Sequence, residues 1–443
     1  MVSAARQREL AVWANGERVG TWTVDAGTHV LAYDPGWIAA PHGRPLSHSL
    51  PFGTGNAAHR GAAVRDYFEN LLPDNDTIRQ RVQRQFGTPD TSAFSLLRAV
   101  GRDCVGAIQL LPPGEAPPDV KRIEARPLTD AQVAQAIEAM LDGGFENAAD
   151  VVGPFRISIA GAQEKTALLR HEGRWCAPLG GTPTTHILKL PLGLVGNLRY
   201  DMSASVENEW LCATILRACG LPVATAEIAT FGRHRVLAVE RFDRALQHHA
   251  VPWLARLPQE DFCQALGLSP ARKYESDGGP GIDAIFRLLD LSTRADADKL
   301  TFLKSQLLFW MLAAVDGHAK NFSLAIEPGG RFHLTPLYDV LSAWPIVGNG
   351  AHMIHFRRLR LAMAVRGQNA HYHVHQVQAR HWDALARRYV GAGAFDELIV
   401  LALGMPHALE QVESALPEAF PRRVFDTIRN GTLRMAKVFL DGV

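Results

Sequence analysis

The sequence has no long apolar run. Its longest clean stretch, Leu307 to Val315, is nine residues, about half of the ~20 a membrane-spanning helix requires. The opening "MVSAARQREL" lacks the apolar core of a signal peptide. Cysteine is scarce: Cys104, Cys176, Cys212, Cys219 and Cys263 form no CxxC pair and are odd in number. That pattern points away from a disulfide-stapled secreted domain and towards reduced, mostly buried thiols. Charge bias is also missing, because the formal net charge is +1. Any attraction for nucleic acid must therefore come from a local basic surface. Neither internal repeats nor low-complexity segments occur. These absences lead us to expect a soluble cytoplasmic protein without a membrane segment.

What is present fits a globular chain. At 443 residues, with 47% hydrophobic and 21% charged residues, it can support two or three domains. The first 55 residues read as short strands, with Asn15-Gly16 suited to a tight hairpin turn. Helical patterns follow from about Ala63. A Pro- and Gly-rich connector, "LLPPGEAPPDVKRIEARP", precedes a capping-box signature at Thr129 and Gln132. A boundary is expected near residue 150. "FRISIAGAQEKTALLR", "THILKLP" and "AEIATFGRHRVLAVERFDR" then read as strands, and "ASVENEWLCATILRACG" as a helix stopped by Gly220. From about Gln259 the chain is expected to be mainly helical. The expected class is α+β: an N-terminal α/β domain over 1–150, a small mixed β region over 151–258 and a mainly helical region over 259–443.

The chemistry centres on "VDGHAKN", which closes the apolar run. A polar cluster at the mouth of a core helix is costly to desolvate unless its groups are paired or used. Asp316 and Asn321 form D-x-x-x-x-N, and Asp339 follows in "LTPLYDVLS". Phosphoryl transfer needs one carboxylate to accept a hydroxyl proton, while an Asn and a second Asp hold Mg²⁺. Asp316 as base, with Asn321 and Asp339 as metal ligands, fits that division. Capping of the buried helix explains the same residues. Upstream, "SIAGAQEK" is a small-residue turn ending in a cation, suited to close approach by phosphate oxygens or to an ordinary hairpin. Lys189 lies inside an apolar strand and must reach water, an acid or a phosphate. Glu209, on the next helix, is a candidate partner. The order of loop, strand lysine, helix glutamate, "VERF", D-x-x-x-x-N and later Asp is kinase-like.

The chain also carries longer strings: "RPLSHSLPF", "NLLPDN", "GRDCVGA", "FRISIAGAQEKTALLR", "PTTH", "LAVERFDR", "KYESDGGPG", "DGHAKNFS" and "LTPLYDVLSA". On these it resembles the HipA family of serine/threonine kinase toxins, nearly end to end. The resemblance implies a kinase-like two-lobed region, with a small mixed β lobe and a mainly helical lobe, after an N-terminal domain. It implies ATP and Mg²⁺ as cofactors and Asp316 as catalytic base, with Asn321 and Asp339 on the metal. Ala160, Gly161, Ala162, Gln163, Glu164 and Lys165 would form the phosphate loop, and Lys189 would contact ATP phosphates. The backbone of Glu240, Arg241 and Phe242 would hold adenine. His318, Ala319, Lys320, Asn321, Tyr338 and Asp339 would line the nucleotide site. Ser158 matches the serine whose autophosphorylation disables ATP binding. About two negative charges there would repel ATP phosphates. The implied partners are a HipB-like helix-turn-helix antitoxin, operator DNA through that complex, and an aminoacyl-tRNA ligase such as glutamate–tRNA ligase as substrate. The segment "LGLVGNLRYDMSAS" after Pro191, where substrate docking is expected, departs from the family strings.

Residues 351–390 hold seven arginines (Arg357, Arg358, Arg360, Arg366, Arg380, Arg387 and Arg388) and one acid, Asp383. Such clustering suits a phosphate backbone, with direct DNA contact by Arg387 or Arg388, or simply a solvated face. "HYHVHQ" sets His371, His373 and His375 at strand alternation, a pattern that could collect a metal but has no second ligand cluster. Two other classes remain open: a catalytically silent kinase-shaped corepressor and a small-molecule kinase.

Overall fold

The computed structural model describes residues 8–115, 119–142, 163–196 and 198–443. The chain forms two compact units. The first gathers Met1–Leu190, Ala229–Ala271 and Ser323–Phe332, and the second Pro191–Ile228, Arg272–Phe322 and His333–Val443.

In the first unit a five-stranded sheet runs in the order His59–Arg60, Thr28–Tyr33, Glu17–Asp25, Glu9–Ala14 and Ile108–Leu111. Asn15 and Gly16 turn the first hairpin at φ 50° and 86°, the left-handed conformation that this dipeptide tolerates. Alternate residues Leu10, Val12 and Ala14 face the core, where Trp22 stacks on Phe68 at 3.8 Å between ring centroids. The helical pattern after Ala63 splits in two, Ala62–Glu69 and Asp76–Phe86. Pro73 interrupts it, and the Asn75 side chain caps the second helix by accepting from the Thr77 and Ile78 amides. Val64, Tyr67 and Phe68 bury the first of these helices in the core, so this segment is structural.

A second sheet of this unit carries, in order, His234–Glu240, His186–Lys189, Lys165–His171, Arg174–Pro178 and Ala125–Pro127. The helix Asp130–Asp142 covers it, with Val133 and Ile137 against Leu168, Leu188 and Val236. Its capping box forms as expected. The Thr129 amide donates to Gln132 Oε1 at 2.9 Å, and the Gln132 amide to Thr129 Oγ1 at 3.3 Å.

The second unit is mainly helical. Ala295–Met311 is its central helix, and Phe302, Leu303, Leu307, Leu308, Trp310 and Met311 on it are fully buried. Each such side chain stabilises the fold by roughly 1.5–3 kcal/mol over its exposed state. Its last two turns, residues 305–311, are buried on every side, whereas the first half keeps Asp296, Lys299 and Lys304 towards water; Trp310 Nε1 donates to the Val374 carbonyl at 2.9 Å. Ser205–Ala218 packs against Ala394–Ser414. Gly220 ends the former at φ 79°.

The expectation of helix beyond Gln259 needs correction at two places. Gln259–Asp261 pairs with Ser323–Ile326, and Arg360–Arg366 pairs with Ala370–His373. "RLAMAVR" has no helical cap and buries its apolar residues as a strand, so cross-strand packing decides. The departing segment after Pro191 is also a hairpin, Gly193–Val195 against Tyr200–Met202. All five cysteines are free thiols, and four of them are buried. Among the described residues no helix is long and apolar enough to cross a membrane.

Candidate functional site

The polar string of the second unit begins where the central helix stops. Leu312 caps that helix, Ala313 turns left-handed at φ 48°, and the Ala314 amide returns to the Phe309 carbonyl at 2.7 Å. Gly317 is required here, because a Cβ would come within 2.5 Å of the Phe309 ring. The His318 amide donates to the Asp316 carbonyl at 2.8 Å, and Ala319–Asn321 forms a single 3₁₀ turn. Asn321 Nδ2 then donates to the Asp316 carbonyl at 2.8 Å and to the Asp339 carbonyl at 3.4 Å. One amide thus joins two acids far apart in sequence and turns its Oδ1 away from both carbonyls.

Asp339 adopts φ 61°, which is strained for a residue with a side chain. Its neighbours hold it there. The Leu337 amide donates to Pro222 O and the Leu337 carbonyl accepts from the Ala224 amide, both at 2.9 Å. Asn208 clamps Ser342 through two hydrogen bonds of 2.7 and 2.8 Å, and the Ser342 hydroxyl donates to Leu312 O at 2.6 Å. The Tyr338 hydroxyl donates to the Lys320 carbonyl at 2.9 Å. Strain so heavily supported is a mark of functional segments.

Asp316 is exposed, whereas His318, Lys320 and Asn321 are buried. Burial lowers the basicity of His318; Asp316 and Asp339 oppose that shift and Lys273 adds to it. His318 Nδ1 is buried with no hydrogen-bond partner. Asp316 Oδ1 accepts from the Tyr274 hydroxyl at 2.5 Å, a contact that sequence reasoning missed. The oxygen donors of Asn321 and Asp339 are the hard ligands that Mg²⁺ takes alongside water and phosphate. The bond from the Asn321 side chain to the Asp339 backbone makes these two residues neighbours, and their donor chemistry fits that ion. Among the described residues no cluster of three or more His, Cys, Asp or Glu could hold a metal.

The first unit carries the other expected residues. Ser158, Ala160, Gly161 and Ala162 lie outside the described residues. Gln163 donates its side-chain amide to the Leu190 carbonyl, and the Leu190 amide donates to Glu164 O at 3.3 Å. Glu164 pairs with Arg81 at 2.9 Å. Lys165 lies directly opposite Lys189 across the antiparallel pair, so both side chains share one face. Lys189 is buried.

Glu240 pairs with His186, and the Arg241 amide donates to the Thr185 carbonyl at 2.8 Å. The Arg241 side chain turns inward, into a network absent from our sequence reading. It donates to Asp243, Thr184 and Asp103. Asp103 also takes Arg244 at 3.0 Å and Arg256 at 3.1 Å. The three guanidinium groups offset the burial of Asp103 and hold it well below the usual carboxylate range. Asp243 behaves likewise under Arg241 and Arg244. The charged residues of "GRDCVGA" and "LAVERFDR" were the available signal.

The arginine run divides. Arg366 pairs with Glu275 and Asp283, acids from outside the run. Arg360 lies over Tyr372 and Arg388 over Tyr389. Arg387 and Arg388 are exposed together on the π-helical turn Ala386–Val390, with Arg387 bonded to Asp383 at 2.7 Å. The histidine alternation also breaks. The strand ends at His373, and Val374–Gln376 is a 3₁₀ turn, so His375 leaves the pattern.

Family models give the comparison that decides membership. The HipA-like C-terminal domain matches residues 157–419, and the HipA N-terminal domain matches 10–111. The chain belongs to the HipA family. A curated relative, the putative kinase Y4mE of Sinorhizobium fredii, is 35% identical over 368 residues, covering 80% of this chain and 82% of its own. The serine/threonine-protein kinase toxin HipA of Shewanella oneidensis is 30% identical over 363 residues, covering 77% and 76%. Among solved structures, HipA in a complex with HipB and operator DNA from Shewanella oneidensis MR-1 matches with a TM-score of 0.77 at 25% identity, covering 98% of this chain and 97% of that one. The HipA fold, mixed helix and sheet with several small sheets and a helical region, is therefore the fold of this chain.

Proposed function

We propose that this HipA-family chain is an ATP-dependent serine/threonine protein kinase and the toxin of a toxin–antitoxin pair. The observation that carries this is the Asn321 side chain, bonded to the backbone of both Asp316 and Asp339 at the end of a core helix. Asp316 is exposed and so accessible as the proton acceptor for a Ser or Thr hydroxyl. Asn321 and Asp339 would hold Mg²⁺, which when bound would supply charge neutralisation on the transferred phosphoryl group. Lys165 and Lys189 offer paired positive charge to ATP phosphates, with Gln163 and Glu164, and with Ala160, Gly161 and Ala162 completing the loop. The backbone of Glu240, Arg241 and Phe242 takes adenine; His318, Ala319, Lys320 and Tyr338 line the nucleotide site. The silent-corepressor reading is disfavoured because Asp316, Asn321, Asp339 and Lys189 are all retained.

The partners proposed are a HipB-like helix-turn-helix antitoxin and, through it, operator DNA, with Arg387 and Arg388 as exposed basic residues suited to phosphate. An aminoacyl-tRNA ligase, glutamate–tRNA ligase first among them, is the proposed substrate, and Ser158 the site of inactivating autophosphorylation. The test is intact-mass and peptide mass spectrometry after incubation with Mg·ATP, beside Asp316→Gln. Phosphate on Ser158 in the wild type alone is expected, since removal of a general base costs about 10²–10⁴-fold in rate. Full phosphorylation of the variant would remove Asp316 from the mechanism. No phosphate on either protein, with a panel of tRNA ligases also unmodified, would overturn the kinase reading.

A further inference from the structure

Asp316 has two carboxylate oxygens, and the fold has already committed one. The Tyr274 hydroxyl donates to Oδ1 at 2.5 Å, across 42 residues of sequence. We propose that Tyr274 is a positioning residue for phosphoryl transfer: it holds Oδ1 so that Oδ2 faces the acceptor hydroxyl. This rests on the reading of Asp316 as the base. In the step, the acceptor proton moves to Oδ2 as its oxygen bonds the γ-phosphorus. The bond from that phosphorus to the β,γ-bridging oxygen breaks, and its electron pair leaves with ADP.

The loop that presents Tyr274 is built to hold it still. The Asp277 and Gly279 amides both donate to the Tyr274 carbonyl, at 3.1 and 2.9 Å. Gly279 admits no side chain, since a Cβ would lie 2.1 Å from the Arg272 carbonyl oxygen and 2.6 Å from that of Tyr274. Glu275 pins the next position to the Arg360–Arg366 strand by accepting from the Ala364 amide at 2.6 Å and from Arg366. At Gly281 a Cβ would come within 2.5 Å of the Glu275 carboxylate. The loop also ties directly to the catalytic string, through the Ala319 amide donating to Lys273 O at 3.2 Å. The Tyr274 ring meets His318 edge to face at 5.0 Å. These constraints explain why "KYESDGGPG" clusters its glycines after Tyr274. They make the hydroxyl a fixed donor, and an exposed carboxylate that would otherwise rotate freely gains one defined orientation.

The discriminating variant is Tyr274→Phe, which keeps the ring against His318 and deletes only the hydroxyl. We expect the rate constant of Mg·ATP-dependent self-phosphorylation at saturating ATP (a single event per molecule, written kcat), read as ADP release and by intact mass, to fall about ten- to a hundredfold, the worth of one hydrogen bond to an ionised group. KM for ATP and the melting temperature should stay at wild-type values. An unchanged kcat overturns the proposal. So does a fall in kcat accompanied by a raised KM and a lowered melting temperature, which marks a packing role. Asp316→Gln assayed alongside separates the two readings. An active Asp316→Gln removes the base and this inference with it. An inactive Asp316→Gln beside a fully active Tyr274→Phe removes this inference alone.

Discussion

Replacing Glu260 with Gln should flatten the pH dependence of stability of the first unit. Glu260 lies on the Gln259–Asp261 strand, paired with Leu324 and 1% exposed. Its Oε1 accepts from the His48 amide at 2.8 Å, while Oε2 is buried with no hydrogen-bond partner. Burial pushes its pKa from 4.5 up to about 8; the Ser47 hydroxyl and His48 amide oppose the rise, and Asp261 adds to it. Between those two values the folded chain keeps a proton that the unfolded chain has lost. Stability from this group is therefore fully present below pH 4.5 and is lost as pH rises through about 8. At ~1.4 kcal/mol per pH unit, the whole window amounts to about 5 kcal/mol. Gln is isosteric and keeps the acceptor for His48, so it removes the titration without opening a cavity. The assay is urea denaturation of wild type and Glu260→Gln, followed by circular dichroism from pH 5 to pH 9. The variant should gain on the wild type steadily and be the more stable protein at pH 9. Parallel curves over that range would refute a proton held by burial.

Two further outcomes follow from the same kind of reasoning. Asp339→Asn should weaken Mg²⁺-dependent ATP binding while leaving the fold intact, because the clamps on Leu337 and Ser342 do not use its carboxylate; unchanged affinity by titration calorimetry would exclude a metal role. Asp103→Asn should destabilise the first unit by about 3–5 kcal/mol, the typical effect of breaking a buried charge network, and a loss under about 1 kcal/mol in urea would show those arginines to be hydrated.

What could be read from the sequence was local. Asn15-Gly16 sets its hairpin through the backbone freedom of two adjacent residues, and Thr129 finds Gln132 within one helical turn. Asp316 and Asn321 stand only five positions apart, so their association was visible as a spacing. Tyr274 was not, because only the folded loop brings its hydroxyl to Asp316 from 42 residues away. Arg366 looked like one more member of a basic run. Its partners, Glu275 and Asp283, sit some ninety residues upstream in sequence, so no window of composition could have neutralised it. The strand Arg360–Arg366 escaped for a related reason, since seven residues of mixed propensity take their conformation from the strand beside them.

The Asp103 network shows how far non-local physics organises this chain. Asp103 falls within the range matched by the HipA N-terminal domain, and Arg241, Arg244 and Arg256 within that of the C-terminal domain, yet all four belong to one compact unit. Two carboxylates and three guanidinium groups are desolvated together. A well-packed apolar cluster of similar volume is often as stable or more so. Stability alone is then a poor reason for such a network. Specificity of backbone placement is a better one. Arg241 donates from its amide to Thr185 and from its side chain to Thr184, Asp103 and Asp243. The segment Glu240 to Phe242 is thereby fixed by hydrogen bonds of defined direction, which apolar contacts do not supply. A segment proposed to present its backbone to adenine needs that directional control, and Asp103 extends it to a residue that no reading of the "VERF" string alone would have included.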